Sequence, residues 1–430
     1  MKAVIQSLKT HQFFTLSFGV AAANVVSFAS VPFLARLYGS EAFGIFAVYY
    51  SLYNLVGVPA TLRFDLAIPI AENDEDASTL STLSLLLTLF IAAVLAISFL
   101  FEWPRQFFNE VPAGIGVWLL TAVSVAVQGA TQILVQRAIR TGNMRAMSIR
   151  PITERLCFVA FAVLAYKLNS LATGLVWAQT FSILIAMSTL IWGCHWRFRI
   201  HRKKILAVVR RYSDFPKKNL ASTLLQTLSN QVPMLIYARF FNVGELGYLS
   251  IAQRLTEAPI ALLMSSVTVV YYRRLLQATR GQFRRIFMRT VGVGIMVLGP
   301  PCVVAGLFAA PILDKLFGAK WAGSHLFFIV LLPLAFFKML YMIHSSYFIV
   351  LRRLGSELYL SIALFVLQMI GIAIGLAYTQ SLLFVSALAA NLTAVVYLAG
   401  LLTIYWRVVE AKAESDLVSV KADTVGEARL

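Results

Sequence analysis

Arginine, glutamate and proline crowd into AQRLTEAP, residues 252–259, inside a long apolar run. Arg254 and Glu257 are three apart, so on a helix they share a face and can pair. Two readings follow: a structural ion pair tying helices together, or the lining of a cavity. PLAFFKMLYMIH sets Lys338 in the middle of another apolar run with no acid close by in sequence. Its charge calls for another helix, water or an anionic guest. His344 closes the same stretch and titrates near neutral pH; it reads as a proton relay or as a packing residue near a helix end. In LRFDLAIP, Arg63 and Asp65 read either as boundary markers or as a gate or cation-coupling site. Asn24, Asn230 and Gln231 are candidate linings of a polar cavity, and interhelical hydrogen bonding explains such residues equally well.

The elements that carry these residues follow from composition. The 430 residues are 59% hydrophobic and 13% charged, with mean hydropathy +0.78, where an ordinary soluble chain has about a quarter of its residues charged. This is the composition of a membrane protein. A spanning helix needs about 20 apolar residues, and runs of that size give twelve spans: 12–35, 43–64, 80–101, 113–136, 149–167, 171–193, 219–239, 245–271, 286–310, 325–350, 356–378 and 382–405. The first run is too long for the apolar core of a cleaved leader, so it is kept as a span. Charges inside such spans cost about 2.5–3.5 kcal/mol at the bilayer centre on insertion scales, which directs Arg254, Glu257 and Lys338 to the protein interior or a wet cavity.

Cytoplasmic loops hold the excess of Lys and Arg. With both termini cytoplasmic, the inner segments hold 29 and the outer loops six, which sets the orientation. The net charge of +18 therefore calls for no nucleic acid. RFRIHRKKILAVVRRY, 197–212, joins two spans on the inner side, where basic residues face anionic headgroups. The acidic run ENDED, 72–76, is expected to be a solvated loop on the same side. Cys157, Cys194 and Cys302 lie far apart without metal-ligand spacing and read as free, packed thiols. No GxxxxGK[ST], HExxH or serine elbow is present, so the motifs of nucleotide hydrolysis, zinc proteolysis and α/β-hydrolase chemistry are missing.

VPFLARLYGSEAFG, 31–44, resembles VPMLIYARFFNVGELG, 232–247: Arg36 and Arg239 are each followed eight residues later by a glycine, Gly44 and Gly247. Pro259 echoes Pro59 further on. Six spans separate the copies, so the repeats are parallel, as among secondary transporters. The expected fold is an all-α integral membrane protein with about 12 transmembrane helices in two parallel-repeat six-helix bundles. Its divisions are 1–195, the N-terminal bundle; 196–216, a basic cytoplasmic linker; 217–407, the C-terminal bundle; and 408–430, a disordered cytoplasmic tail. Proline at 32, 59, 233, 259, 300, 301 and 333 breaks backbone hydrogen bonds and kinks helices, which suits alternating access.

PFLARLYGSEAFGIFAVYYSL, LRFDLAIPIAENDEDA and YSDFPKKNLASTLLQTLSNQVPMLIYARFFNVGELGYLSIAQRLTEAP resemble stretches of the Wzx-type polysaccharide-biosynthesis flippases. These belong to the multidrug, oligosaccharidyl-lipid and polysaccharide exporter superfamily. The resemblance implies a transporter, not an enzyme, moving undecaprenyl-diphosphate-linked oligosaccharide units across the bacterial inner membrane for O-antigen, capsule or exopolysaccharide. It also implies a cationic cavity, no cofactor, a proton or sodium ion as coupling ion, and as partners membrane lipid, a polysaccharide polymerase and chain-length proteins. Arg254 falls in the AQR position of the family-like stretch; Lys338 is a second cation by location. A multidrug or small-solute antiporter of the same superfamily stays open as an alternative, as does a membrane glycosyltransferase or polymerase.

Overall fold

The computed structural model describes residues 2–101, 107–108, 114–170, 172–192, 202–213, 215–350 and 354–427. Among them every regular element is helical, with fifteen α-helices: α1 (Lys2–Leu37), α2 (Ser40–Gly57), α3 (Asp74–Leu100), α4 (Ile115–Thr141), α5 (Met144–Lys167), α6 (Gly174–Ile191), α7 (Arg202–Arg211), α8 (Ala221–Phe240), α9 (Val243–Gln277), α10 (Arg280–Leu307), α11 (Ala309–Phe317), α12 (Ser324–His344), α13 (Ser346–Val350), α14 (Leu354–Tyr378) and α15 (Leu382–Glu427). Twelve of these are long, and each overlaps one expected span. Eight are candidate spans by length and apolar composition alone. The other four, α2, α5, α8 and α9, carry the polar and charged groups described below. The protein is an all-α, multi-pass membrane protein.

Local chemistry explains where helices stop. α2 ends at Gly57 rather than at residue 64, because Pro59 lacks an N–H and Leu62 and Arg63 adopt positive φ of 47° and 63°, which a helix interior does not accept. Pro259, by contrast, lies inside the continuous α9; the two prolines are not structural equivalents. A proline in a long helix leaves one carbonyl unbonded but the flanking turns persist, whereas two left-handed residues redirect the chain. At the other end of the protein, residues expected to be a disordered tail are helical as far as Glu427. Ala, Glu and Lys in EAKAESDL are good helix formers that prolong an existing helix without a new nucleation step.

The chain forms two compact units. The first comprises residues 1–254, 313–324 and 380–382; the second comprises 255–312, 325–379 and 383–430. The sequence places the division at the basic segment 196–216, but α8 and the start of α9 group with the first unit. The reason is packing against α2. A Cβ on Gly44 would overlap the carbonyl oxygen of Val243, and a Cβ on Gly247 would overlap that of Ser40. The interval from Ser40 to Val243 equals that from Gly44 to Gly247, so the two contacts are the same contact made twice, each repeat placing its glycine on the first residue of the other's helix. An isologous interface has this form. The repeat read from the sequence is thus also a repeat in space.

Two further attachments complete the first unit. Arg36 donates from Nε to the Leu316 carbonyl at 2.8 Å and from a terminal nitrogen to that of Lys315 at 2.7 Å, a cation satisfying carbonyls at the end of α11. Trp321, wholly buried, donates from Nε1 to the Ala35 carbonyl at 2.9 Å and meets Phe43 edge-on. The acidic run is not a free loop. Asn73 caps α3 by accepting from Asp76 N at 2.7 Å, Asp74 pairs with Arg140 at 2.9 Å, and Arg211 of the basic linker reaches Glu72 at 2.8 Å and Asp76 at 3.3 Å. These are largely exposed pairs, worth about 0–1 kcal/mol each. The two Arg211 contacts nevertheless tie α7 to the rest of the first unit, with Val208 and Tyr212 buried beside Phe64 and Ile68. Residues 196–201 and 214 of the expected linker, and Cys194, lie outside the described residues; Cys157 and Cys302 are free and half-buried.

In the second unit Tyr271, Phe283, Phe287, Leu340, Tyr347 and Phe348 form the core with Leu401 and Ile404 of α15. The small-residue motif GIAIG brings α14 close to α15, with Gly371 against Ala389 and Gly375 against Val385.

Candidate polar site and its cations

Within the first unit a cavity of about 220 Å³ opens among α1, α2, α4, α5 and α6. Tyr50, Tyr53 and Asn54 reach it from successive turns of α2, Gln128 from α4, Arg150, Glu154 and Arg155 from α5, and Gln179 from α6. Asn24 of α1 lines it too, where the sequence expects polar lining. Arg150 and Glu154, four apart on one helix face, close an ion pair at 2.9 Å. The other Glu154 oxygen accepts from Gln179 Nε2 at 3.3 Å. Arg155 sits beside Tyr50 and Glu154. Across the cavity the Tyr53 hydroxyl donates to Gln128 Oε1 at 2.7 Å. Behind it Tyr49 shares its hydroxyl with Ser124 at 2.7 Å and Thr180 at 3.2 Å. Buried charge in a membrane protein persists where it is paired and hydrogen-bonded, and this cluster meets that condition.

Arg254 adjoins the same group. Its guanidinium carbon lies 4.8 Å from the centroid of the Phe46 ring and 5.9 Å from that of Tyr50, within cation–π range. Tyr50 is therefore shared: one ring serves Arg254 and lines the cavity. Asn230 and Gln231 do not line this cavity. On α8, Asn230 is exposed and Gln231 half-buried.

The second unit holds the other expected residues. Lys338 on α12 lies 3.7 Å from Glu257 on α9, with the lysine mostly buried and the acid 66% exposed. The acid that Lys338 lacks in its own stretch comes from another helix. Glu257, expected to answer Arg254, has Lys338 as a partner here. His344 is wholly buried; Nδ1 faces the Leu340 carbonyl at 2.7 Å and Nε2 faces Thr290 Oγ1 at 3.0 Å, with Tyr271 and Phe287 edge-on to the ring. Since Nδ1 meets a carbonyl, the proton is assigned to Nδ1. Both nitrogens are engaged in packing contacts.

Arg63 and Asp65 sit in the turn after α2, within the first unit. Thr61 donates to Asp65 at 2.5 Å and accepts from Arg63 N at 3.3 Å, while Arg63 Nε donates to Thr223 on α8 at 2.9 Å. These bonds hold the two left-handed residues in place. Burial pushes the Asp65 carboxyl above its ordinary range, opposed by the Thr61 hydrogen bond and the Arg63 charge.

The charges of α5 are the cavity-lining cluster that sequence reading passes over. Arg150, Glu154 and Arg155 look like a crowded helix start, yet three charges within six residues, two of them four apart, are themselves the signal. Residues 33–326 match the model of a family described as "Polysaccharide biosynthesis protein". The chain belongs to that family. A curated relative of this polysaccharide biosynthesis protein, the succinoglycan biosynthesis transport protein ExoT of Rhizobium meliloti (strain 1021), is 24% identical over 306 residues, 69% of this chain and 60% of the relative. The match thus spans less than two thirds of the relative's length. Among solved structures, the lipid II flippase MurJ in an inward closed conformation aligns with a TM-score of 0.73 at 14% identity, covering 92% of this chain and 90% of MurJ. An inward-facing multidrug resistance MATE family transporter of the MOP superfamily aligns with a TM-score of 0.65 at 15% identity, covering 93% and 96%. At such identities the likeness establishes the fold alone, and this family member shares the fold of these structures.

Proposed function

We propose that this protein is a flippase, a transporter and not an enzyme, that carries undecaprenyl-diphosphate-linked oligosaccharide from the cytoplasmic to the outer leaflet of the bacterial inner membrane for surface polysaccharide assembly. Both termini are cytoplasmic in this reading, and transport proceeds by alternating access coupled to a proton or sodium ion. The observation that carries it is Arg254, a cation in contact with aromatic rings beside a polar cavity, in a chain of the polysaccharide biosynthesis family.

A diphosphate is a strong anion, and a guanidinium meets phosphate oxygens through several donors in a fixed plane. The cation–π contact with Phe46 restrains the guanidinium before substrate arrives, lowering the ordering cost of binding. Lys338 is a further substrate-binding cation in this reading, with Glu257 as its counter-charge when substrate is absent. The prenyl chain stays in the bilayer, so the protein handles only the polar head. A polymerase and chain-length proteins would act on the delivered unit.

Disrupting the gene tests the proposal. Loss of surface polysaccharide, with lipid-linked units accumulating on the inner leaflet, is expected; normal polymer in the disrupted strain refutes it.

A further inference from the structure

We infer that the cavity of the first unit takes the first pyranose of the lipid-linked glycan, the ring bonded directly to the diphosphate. The inference rests on the transport reading and assigns a separate part of the substrate to a separate group of residues.

Size comes first. About 220 Å³ falls below the roughly 300–1,000 Å³ of pockets for drug-sized ligands. It equals the liquid volume of several waters at about 30 Å³ each, so it admits one ring, not a whole repeat unit.

The lining is that of a hydroxyl-binding site. Tyr53, Asn54, Gln128 and Gln179 offer neutral donors and acceptors, and the Tyr53 ring stacks on Tyr49 with centroids 5.9 Å apart and planes 6° apart, giving a stiff aromatic wall. Arg150 supplies the most specific sign. Among the described residues its Nε is buried without a hydrogen-bond partner, an unmade bond that destabilises the empty site; a sugar oxygen would satisfy it. A metal cation is a poor occupant, since the single acid, Glu154, already faces Arg150 and Gln179 and has Arg155 beside it.

Position links the sugar to the phosphate. Tyr50 lines the cavity and also lies under Arg254, so a ring in the cavity and a diphosphate at Arg254 would be neighbours, as the bond between the first sugar and the diphosphate requires.

Native mass spectrometry of the purified full chain tests this with two probes, polyprenyl diphosphate without sugar and the same lipid bearing one glucose. Wild type is expected to bind the glucosyl lipid about tenfold more tightly, the scale of a hydrogen bond made to a group otherwise left unpaired. In Tyr53→Phe and in Gln128→Leu the ratio of the two affinities should fall towards one. Tyr53→Phe keeps the ring and carries the test if Gln128→Leu does not fold. Equal wild-type affinity for the two lipids, or an unchanged ratio in a folded variant, overturns the sugar assignment while leaving the transport reading standing. Binding of neither lipid overturns the transport reading and this inference with it.

Discussion

The guanidinium of Arg254 lies 4.8 Å over the ring of Phe46, a cation–π contact inside the first unit. Lysine keeps the charge but neither the plane nor the fork of donors. Arg254→Lys should therefore reduce transport, not preserve it. Losing one charge-assisted bond of about 1.5–3 kcal/mol corresponds to a loss of about ten- to a hundredfold, read as surface polysaccharide per cell at matched expression. Wild-type levels in Arg254→Lys would show that charge alone suffices.

Gly44 and Gly247 make equivalent contacts, so they should respond alike. Adding a methyl at either drives a backbone carbonyl aside, and overpacking of this kind costs about 1–3 kcal/mol. Gly44→Ala and Gly247→Ala are each expected to lower the unfolding temperature in detergent by similar amounts. A large loss for one and none for the other would mean that the repeat is not spatially symmetric.

Lys338 and Glu257 differ in burial, and the difference has a sign. Glu257 is 66% exposed and can find other partners when its lysine is removed, whereas Lys338, 24% exposed, is left unpaired when the acid is removed. Glu257→Gln should destabilise more than Lys338→Gln. The coupling between them, from the double mutant, should stay below about 1 kcal/mol because the acid is solvent-screened. Thermal unfolding of the four proteins measures both quantities, and the opposite order would contradict the assignment.

Asp65 gives a pH dependence. Its carboxyl is raised in the folded protein by burial, so the folded state holds the proton more tightly than the unfolded chain. That contribution is complete below the ordinary aspartate range and is lost as pH rises from that range through the raised folded value. Asp65→Asn lacks it and should gain stability relative to wild type across that interval. Unfolding midpoints measured from pH 4 upward check this; a constant difference between the two proteins would rule it out.

The twelve long helices were legible because each is an apolar run of spanning length, and the repeat because Arg36 and Arg239 keep the same distance to Gly44 and Gly247. What the sequence hid was pairing between distant segments. Nothing near Lys338 announces Glu257, and nothing in ENDED announces Arg211 or Arg140. The end of α2 was missed because Leu62 and Arg63 are ordinary residue types in an unusual conformation. Arg150, Glu154 and Arg155 are visible in the sequence as charges, but their partners Gln179 and Tyr50 come from other helices. The unit boundary is not legible either: the start of α9 joins α2 through the glycine contacts of Gly44 and Gly247, which composition does not reveal.

The most direct measurement is leaflet transfer in proteoliposomes holding wild type or Arg254→Ala, with undecaprenyl-diphosphate-linked oligosaccharide loaded in one leaflet and its arrival in the other read by accessibility to a membrane-impermeant glycosidase. Transfer that depends on the protein, and that disappears in a stably folded Arg254→Ala, is the expected result. No transfer by wild type, or equal transfer by Arg254→Ala, would contradict the flippase and the role of Arg254 respectively.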